Sequence, residues 1–157
     1  MSTNPSPSPS LSAQNRAARL LAVQAVYQRE ITPTDDAASL TAEYMAHRAG
    51  MDLDGEKLVE PNPDLLKSLI FGVIEKDEDL KDIILKNRSA GEGGTKFPEP
   101  LMMACLLCGC YELVFAQEVD FPIIISDYID IAKAFYEGRE PGLVNAVLDS
   151  VRKVARS

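Results

Sequence analysis

The stretch "NRAARLLAVQAVYQ", residues 15–28, decides the fold because it predicts a helix that is apolar on nearly every side. Gln24 is the only strongly polar residue in the eight positions that follow Arg19. A helix of this kind usually lies at the centre of a helical protein, in contact with several neighbours. The same stretch begins with two arginines, Arg16 and Arg19, one helical turn apart. We therefore expect a central helix, N-capped by Ser12, with a small basic tip.

The rest of the chain also reads as helices separated by turn residues. Thr32-Pro33, Asn62-Pro63 and Asp77 predict helix starts, and apolar residues at helical spacing follow each of them. The same spacing predicts helices over about 100–117, 124–136 and 142–155. The only β-like run, "DFPIII" at 120–125, is short and contains a proline. We predict an all-α protein with about seven helices and no convincing strand.

The length of 157 residues fits one domain, or two small subdomains that share a core. Residues 1–11 are rich in proline and serine and predict a disordered lead-in. Three glycines and two prolines fall within 89–100, which predicts a flexible joint. The joint divides an N-terminal helical subdomain, 12–88, from a C-terminal one, 101–157.

The net charge of −8 argues against a general electrostatic attachment to nucleic acid. The charge is uneven, however: residues 1–31 carry +2 and residues 32–82 carry −8. Because charges more than about 8 Å apart are largely screened at physiological salt, a local basic patch can still act. The chain has neither a signal-peptide pattern nor an apolar run near the ~18 residues of a membrane span, so we expect a cytoplasmic protein.

The three cysteines, Cys105, Cys108 and Cys110, lie within six residues of one predicted helix. Core packing is the favoured interpretation, with a redox thiol or a metal ligand as alternatives; a closed zinc site would need four ligands. The single histidine, His47, has no evident acid–base partner, and a surface or capping role is favoured. Nucleophile and phosphate-loop motifs are missing. We expect no enzyme activity, no catalytic residues, no metal and no cofactor.

Arg16 and Arg19 allow two interpretations. They are either solvated charges at a helix start, or a contact for a phosphodiester backbone. Positive charge at a helix N-terminus is slightly unfavourable for the helix dipole, which is a weak reason to look for a function. Two guanidinium groups one turn apart suit phosphates and unpaired bases, but they supply little affinity without a second surface or a partner.

Several motifs place this sequence beside a known family. "RAARLLAVQAVYQ" at 16–28 resembles the first helix of the NusB family of bacterial transcription antitermination factors. "CYELVF" at 110–115 is similar to the family's "YEL" helix, and "ISDYIDIAKAFYEGREPGLVNAVLDSV" at 125–151 to its ending. The similarity runs in order from about Asn15, and the long acidic loop resembles the alphaproteobacterial branch.

The resemblance implies two small helical bundles lying across each other. It also implies binding to the boxA element of nascent RNA together with the ribosomal small-subunit protein NusE. That complex would join RNA polymerase and suppress termination of ribosomal RNA transcription. No catalysis and no cofactor are implied, and a homodimer is left open.

Carried over by position, the resemblance assigns six residues to RNA: Arg16, Arg19, Lys96, Arg139, Leu143 and Asn145. Asn145 has an equal alternative, a buried amide that holds the preceding loop by hydrogen bonds. Glu112 and Asp127 are candidates for a basic partner such as NusE, with solvated carboxylates as the alternative. Several family basic positions are neutral here, including Asn15, Ala17 and Leu107. These losses motivate a second hypothesis, a protein-interaction adaptor that no longer binds RNA.

Overall fold

The computed structural model describes residues 10–47, 52–53, 56–57, 59–88 and 98–156. In these ranges the protein is built from seven α-helices around one apolar core, which confirms the all-α prediction. The helices are α1 Leu11–Ile31, α2 Ala37–His47, α3 Pro63–Glu75, α4 Asp77–Lys86, α5 Pro100–Phe115, α6 Phe121–Phe135 and α7 Glu140–Ala155.

Helix α1 is central, as its sequence predicts. Its small and aliphatic side chains are buried against α3 and α5. The N-cap is Ser10, whose hydroxyl accepts a hydrogen bond from the Ala13 amide at 3.1 Å, so the prediction of Ser12 is wrong. Leu11, the last residue of the predicted disordered lead-in, is instead the first residue of α1. Residues 1–9 lie outside the described part.

Helix α2 begins later than predicted. Thr32-Pro33 does not start it, because the chain continues without helix until Ala37. Asp36 takes the capping role instead: its carboxylate accepts from the Ser39 amide at 3.0 Å. A short antiparallel pair of strands, β1 Asp52–Leu53 and β2 Glu56–Lys57, follows in the acidic segment and corrects the expectation of no strand.

Asn62 caps α3 as predicted and also ties it to α1. Its side-chain oxygen accepts from the backbone amides of Asp64 and Leu65, and its backbone N–H donates to the Gln14 carbonyl at 3.0 Å. Asp77 is the first residue of α4 rather than its cap; Lys76 holds the cap position without a side-chain bond.

Helices α5 and α6 complete the core around α1. Glu99 caps α5, and the residues 103–110 are all buried. The β-like run at 120–125 lies in α6 from Phe121 onward, with Pro122 in the first turn, where its missing N–H costs no hydrogen bond. Helix α5 contacts α1, α3, α4, α6 and α7, so the described core is continuous. The division into two subdomains stays a prediction, and 89–97 of the joint lie outside the described residues.

Candidate nucleic-acid interface

The two arginines at the start of α1 occupy different environments. The side chain of Arg19 is 2% exposed, whereas that of Arg16 is 46% exposed. Ala17 and Ala18 between them are fully buried, so the backbone of α1 runs close to its neighbours here. Arg19 lies one turn further along the same face of α1, where α5 and α6 cover it, whereas Arg16 lies nearer the start of the helix and stays at the surface.

Arg19 is held by a buried carboxylate on α5. Its Nε and Nη2 donate to the two carboxylate oxygens of Glu112, each at 2.8 Å. The Tyr128 hydroxyl of α6 donates to Glu112 Oε2 at 2.6 Å. A buried carboxylate is tolerated only when it is paired and hydrogen-bonded, and this parallel fork is the strongest pairing that arginine makes.

Asp127 of α6 adds a second partner, with Arg19 Nη1 at 2.8 Å from its carboxylate. Burial raises the pKa of Asp127, although the charge of Arg19 opposes the effect. Burial and the neighbouring Glu112 raise the pKa of Tyr128 well above its usual value. Burial acts to lower the pKa of Arg19, but Glu112, Tyr128 and Asp127 together outweigh it and the pKa is raised. The guanidinium therefore stays charged and joins α1, α5 and α6.

This geometry corrects the expected positions of Arg19 and Glu112. Arg19 was expected in an exposed basic tip and Glu112 on the surface, and both are buried. The reason is that the partners of Arg19 lie 93 and 108 residues away in sequence, on helices that fold over it. In this arrangement neither side chain reaches a molecule outside the protein, and Asp127 is only 16% exposed.

Arg16 makes an exposed ion pair on the same side of α1. Its Nη2 lies 3.2 Å from Asp130 Oδ2, and the side chain of Asp130 is 37% exposed. Arg16 and Arg19 are one turn apart on α1, as Asp127 and Asp130 are on α6. The two pairs, Arg19–Asp127 inside and Arg16–Asp130 outside, form what we call the arginine–aspartate ladder.

An open groove of about 410 Å³ lies between α6 and α7 beside the outer pair of the ladder. Asp130 belongs to both, so Arg16 stands at the edge of the groove. Apolar side chains of Phe121, Pro122, Ile125 and Ile129 line it together with the polar Ser126, Asp130, Lys133, Asn145 and Asp149. A concave surface that combines apolar side chains with a few polar groups has the usual composition of a ligand-binding site.

The remaining predicted residues are distributed around the start of α7. Asn145 is exposed and lines the groove, so the alternative of a buried amide is wrong. Arg139 is exposed at the N-cap position of α7, and Leu143 is half-buried in its first turn. Neither of them makes a hydrogen bond or an ion pair with Arg16 in the described ranges. Lys96 lies outside those ranges.

Sequence reasoning missed Asp130, Lys133 and Tyr128. A signal for Asp130 was present: the spacing of Asp127 and Asp130 repeats that of the two arginines, which is what two facing helices need to form two ion pairs. Tyr128 gave no comparable signal, because a tyrosine between apolar residues fits an ordinary core position.

The cysteines are core residues, as favoured from the sequence. Cys105, Cys108 and Cys110 are reduced and buried. Burial raises the pKa of Cys105 and Cys110 to about 12, and it raises the pKa of Cys108 well above the usual value of a thiol. Among the described residues, no three or more His, Cys, Asp or Glu side chains are grouped to hold a metal ion. Within the same ranges, no helix combines the length and the apolar character that a membrane span requires.

Comparison with known proteins decides the family. The model of the NusB family matches residues 16–153, nearly the whole described chain. This chain belongs to the NusB family. The transcription antitermination protein NusB of Bartonella henselae is 40% identical over 149 residues, covering 95% of this chain and 93% of its own length. That of Sinorhizobium fredii is 38% identical over 157 residues, with 99% and 97% covered.

Two solved structures share the fold of this NusB family chain. T. maritima NusB has a TM-score of 0.69 at 22% identity, covering 88% of this chain and 90% of its own. A chain in a complex of antitermination factors NusB and NusE with dsRNA also has a TM-score of 0.69, at 20% identity, with 88% and 96% covered. At these identities the similarity concerns the fold.

Proposed function

We propose that this protein is an RNA-binding transcription antitermination factor. It acts with a NusE-like ribosomal protein on boxA-type RNA, reaches RNA polymerase through that complex and suppresses termination of ribosomal RNA transcription. It works in the bacterial cytoplasm, as a binding protein without a catalytic step or a cofactor. The observation that carries the proposal is near full-length identity of up to 40% to proteins named for transcription antitermination. The NusB, NusE and RNA complex of a structural neighbour supports the choice of partners.

The RNA surface that we propose centres on Arg16 and the groove between α6 and α7. The half-exposed guanidinium of Arg16 binds a phosphate, and the groove with Asn145 at its rim receives an unpaired base. Arg139 and Leu143 extend this surface at the start of α7, and Lys96 contributes from the joint. The role proposed for Arg19 is indirect, since its ion pairs fix the position of α1.

A few dispersed cations supply little affinity, so the partner is an essential part of the proposal. A NusE-like protein that binds both this chain and the RNA makes the second contact intramolecular. Linking two weak sites in this way raises the apparent affinity without any new contact. Asp127, which keeps a small exposed area, stays a candidate for a partner contact, whereas buried Glu112 supports the partner face only from within.

A fluorescence anisotropy titration tests the proposal, with a labelled boxA-like single-stranded RNA, alone and with purified NusE-like protein. We expect weak binding alone, tighter binding with the partner, and a severalfold loss for Arg16→Ala. Lys86→Ala is the matched control, because Lys86 is also exposed and paired with an aspartate, at 2.8 Å from Asp82 on α4. Equal affinities for all three proteins would contradict the assigned surface.

The adaptor hypothesis is favoured by one specific observation. Of the two arginines at the start of α1, one is buried, and the charged residues that line the groove are Asp130, Asp149 and Lys133. Capture of partners from a bacterial lysate, with and without nuclease, separates the two functions. Partners that are lost after nuclease treatment support RNA binding, and partners that persist support a protein adaptor.

A further inference from the structure

The free protein already satisfies Arg16 with an anion of its own. The carboxylate of Asp130 lies 3.2 Å from the guanidinium that the proposed function assigns to an RNA phosphate. We propose that Asp130 is an intramolecular competitor of that phosphate, so that RNA binding requires the exchange of one anion for another on Arg16. This inference rests on the proposed function and adds a residue that opposes it.

The inner pair of the ladder makes the competition effective. Arg19 is locked between Glu112 and Asp127 at 2.8 Å, which fixes the start of α1 against α6. Arg16 and Asp130 each lie one turn from this lock, on the same side of it. The bonds of Arg19 hold the start of α1 in place, so we expect RNA to reach Arg16 by breaking the outer ion pair rather than by displacing α1.

The exposure of the outer pair allows a phosphate to take over. The side chains of Arg16 and Asp130 are 46% and 37% exposed, so a phosphate oxygen can approach the guanidinium from solvent. Exposed ion pairs are weak, which keeps the exchange reversible. Lys133 lines the same groove, three residues after Asp130 on α6. Its ammonium group is an alternative ion-pair partner for the Asp130 carboxylate after Arg16 is released.

Asp149, the other aspartate at the groove, is engaged elsewhere. Arg152 and Lys153 lie 2.7 Å and 3.2 Å from its carboxylate oxygens. Asp130 therefore differs from Asp149 in that its ion-pair partner is the cation needed for RNA. Its effect on RNA affinity is accordingly expected to pass through Arg16.

The test is an anisotropy titration of a labelled boxA-like single-stranded RNA with four proteins: the unmodified chain, Asp130→Asn, Arg16→Ala and the double variant. Asp130→Asn keeps the size of the side chain and removes its charge. We expect roughly two- to fivefold tighter binding at low salt, because an exposed pair of this kind contributes up to about that factor. The slope of log affinity against log salt should also become steeper for Asp130→Asn. The change should be less than roughly 0.7, the value expected for one phosphate of a single strand.

Asp82→Asn is the matched control. Asp82 is an exposed aspartate paired with a lysine on α4, at 2.8 Å, and its removal changes the net charge by the same amount. We expect no change in RNA affinity from Asp82→Asn, and little gain from Asp130→Asn in the Arg16→Ala background. Circular dichroism checks that all variants are folded.

The outcomes separate this inference from the proposed function. If Arg16→Ala weakens binding but Asp130→Asn leaves it unchanged or weaker, the competition is disproved and the RNA surface stands. An equal gain from Asp130→Asn with and without Arg16 also overturns the inference, because Asp130 would then act as a general negative charge. If Arg16→Ala has no effect on RNA binding, the proposed RNA surface itself fails.

Discussion

Arg19 and Glu112, which lie 93 residues apart in sequence, are joined by two parallel hydrogen bonds of 2.8 Å in the core of the protein. With Asp127 and Tyr128 they connect α1, α5 and α6 at one point. Arg16, three residues earlier, is the accessible member of the pair of arginines. One arginine thus fixes the architecture, and the other is available at the surface that the architecture presents.

Removal of Arg19 should destabilise the protein strongly. Arg19→Ala leaves the fully buried Glu112 without its counterion, and breaking a buried ion pair from one side costs about 3–5 kcal/mol. Urea unfolding followed by circular dichroism measures the free energy of unfolding. Arg16→Ala is the control, and its exposed pair should contribute no more than about 1 kcal/mol. Equal losses for the two variants would show that the buried fork is not what holds α1 in place.

Arg156 should be a second stabilising arginine. Its guanidinium donates to the backbone carbonyls of Leu113, Val119, Glu112 and Ala116, around the end of α5. The carbonyls of Glu112 and Ala116 also accept from the backbone amides of Ala116 and Val119. Because Arg156 adds charged hydrogen bonds at the end of a helix, where carbonyls lose their intrahelical partners, Arg156→Ala should lower the free energy of unfolding by about 1–3 kcal/mol. Thermal melting compares this variant with Lys153→Ala, which changes an exposed residue in the last turn of α7. A melting temperature for Arg156→Ala as high as that of Lys153→Ala would refute the capping role.

The thiols should be inert in the folded protein. All three are buried, and burial keeps them protonated at pH 8 because it raises the pKa of Cys105 and Cys110 to about 12. A disulfide-exchange reagent such as 5,5′-dithiobis(2-nitrobenzoic acid) should react slowly with native protein at pH 8 and with three thiols in urea. Rapid reaction of the native protein would place at least one thiol at the surface.

The same burial predicts that alkaline pH destabilises the fold. In the unfolded chain the thiols lose their protons near the ordinary pKa of 9.0, whereas in the folded protein Cys105 and Cys110 hold theirs to about 12. The unfolded state therefore binds fewer protons over this interval, and the free energy of unfolding falls as pH rises from 9 toward 12. The raised pKa of Tyr128 acts in the same direction. Urea midpoints at pH 8 and pH 10 check the sign, and a higher midpoint at pH 10 would contradict it.

Local signals in the sequence were sufficient for most of the fold. The apolar character of α1 and the start of α3 at Asn62-Pro63 can each be recognised from a short stretch of sequence, and both predictions are correct. The start of α1 was misplaced by two residues because Ser10 and Ser12 are equally good caps by type. The start of α2 was misplaced because Thr32-Pro33 has the composition of a helix start, whereas Asp36 makes the capping bond.

The site was less predictable because its contacts are long-range. Nothing within a few residues of Arg19 indicates a buried carboxylate, since Glu112 and Asp127 are brought to it only by the packing of α5 and α6 on α1. The exposure of Arg16 was predictable, since it lies near the end of the helix. Its pairing with Asp130 required knowing which faces of α1 and α6 meet.

The salt dependence of RNA affinity for Arg16→Ala tests the central claim most directly. If Arg16 neutralises a phosphate, the plot of log affinity against log salt should be shallower for Arg16→Ala than for the unmodified chain, by at most roughly 0.7 for a single-stranded RNA because Asp130 offsets part of the charge. Unfolding by urea should remain close to that of the unmodified protein in the same preparation. An unchanged slope and affinity for Arg16→Ala would contradict the account, because the accessible arginine would then carry no part of the RNA contact.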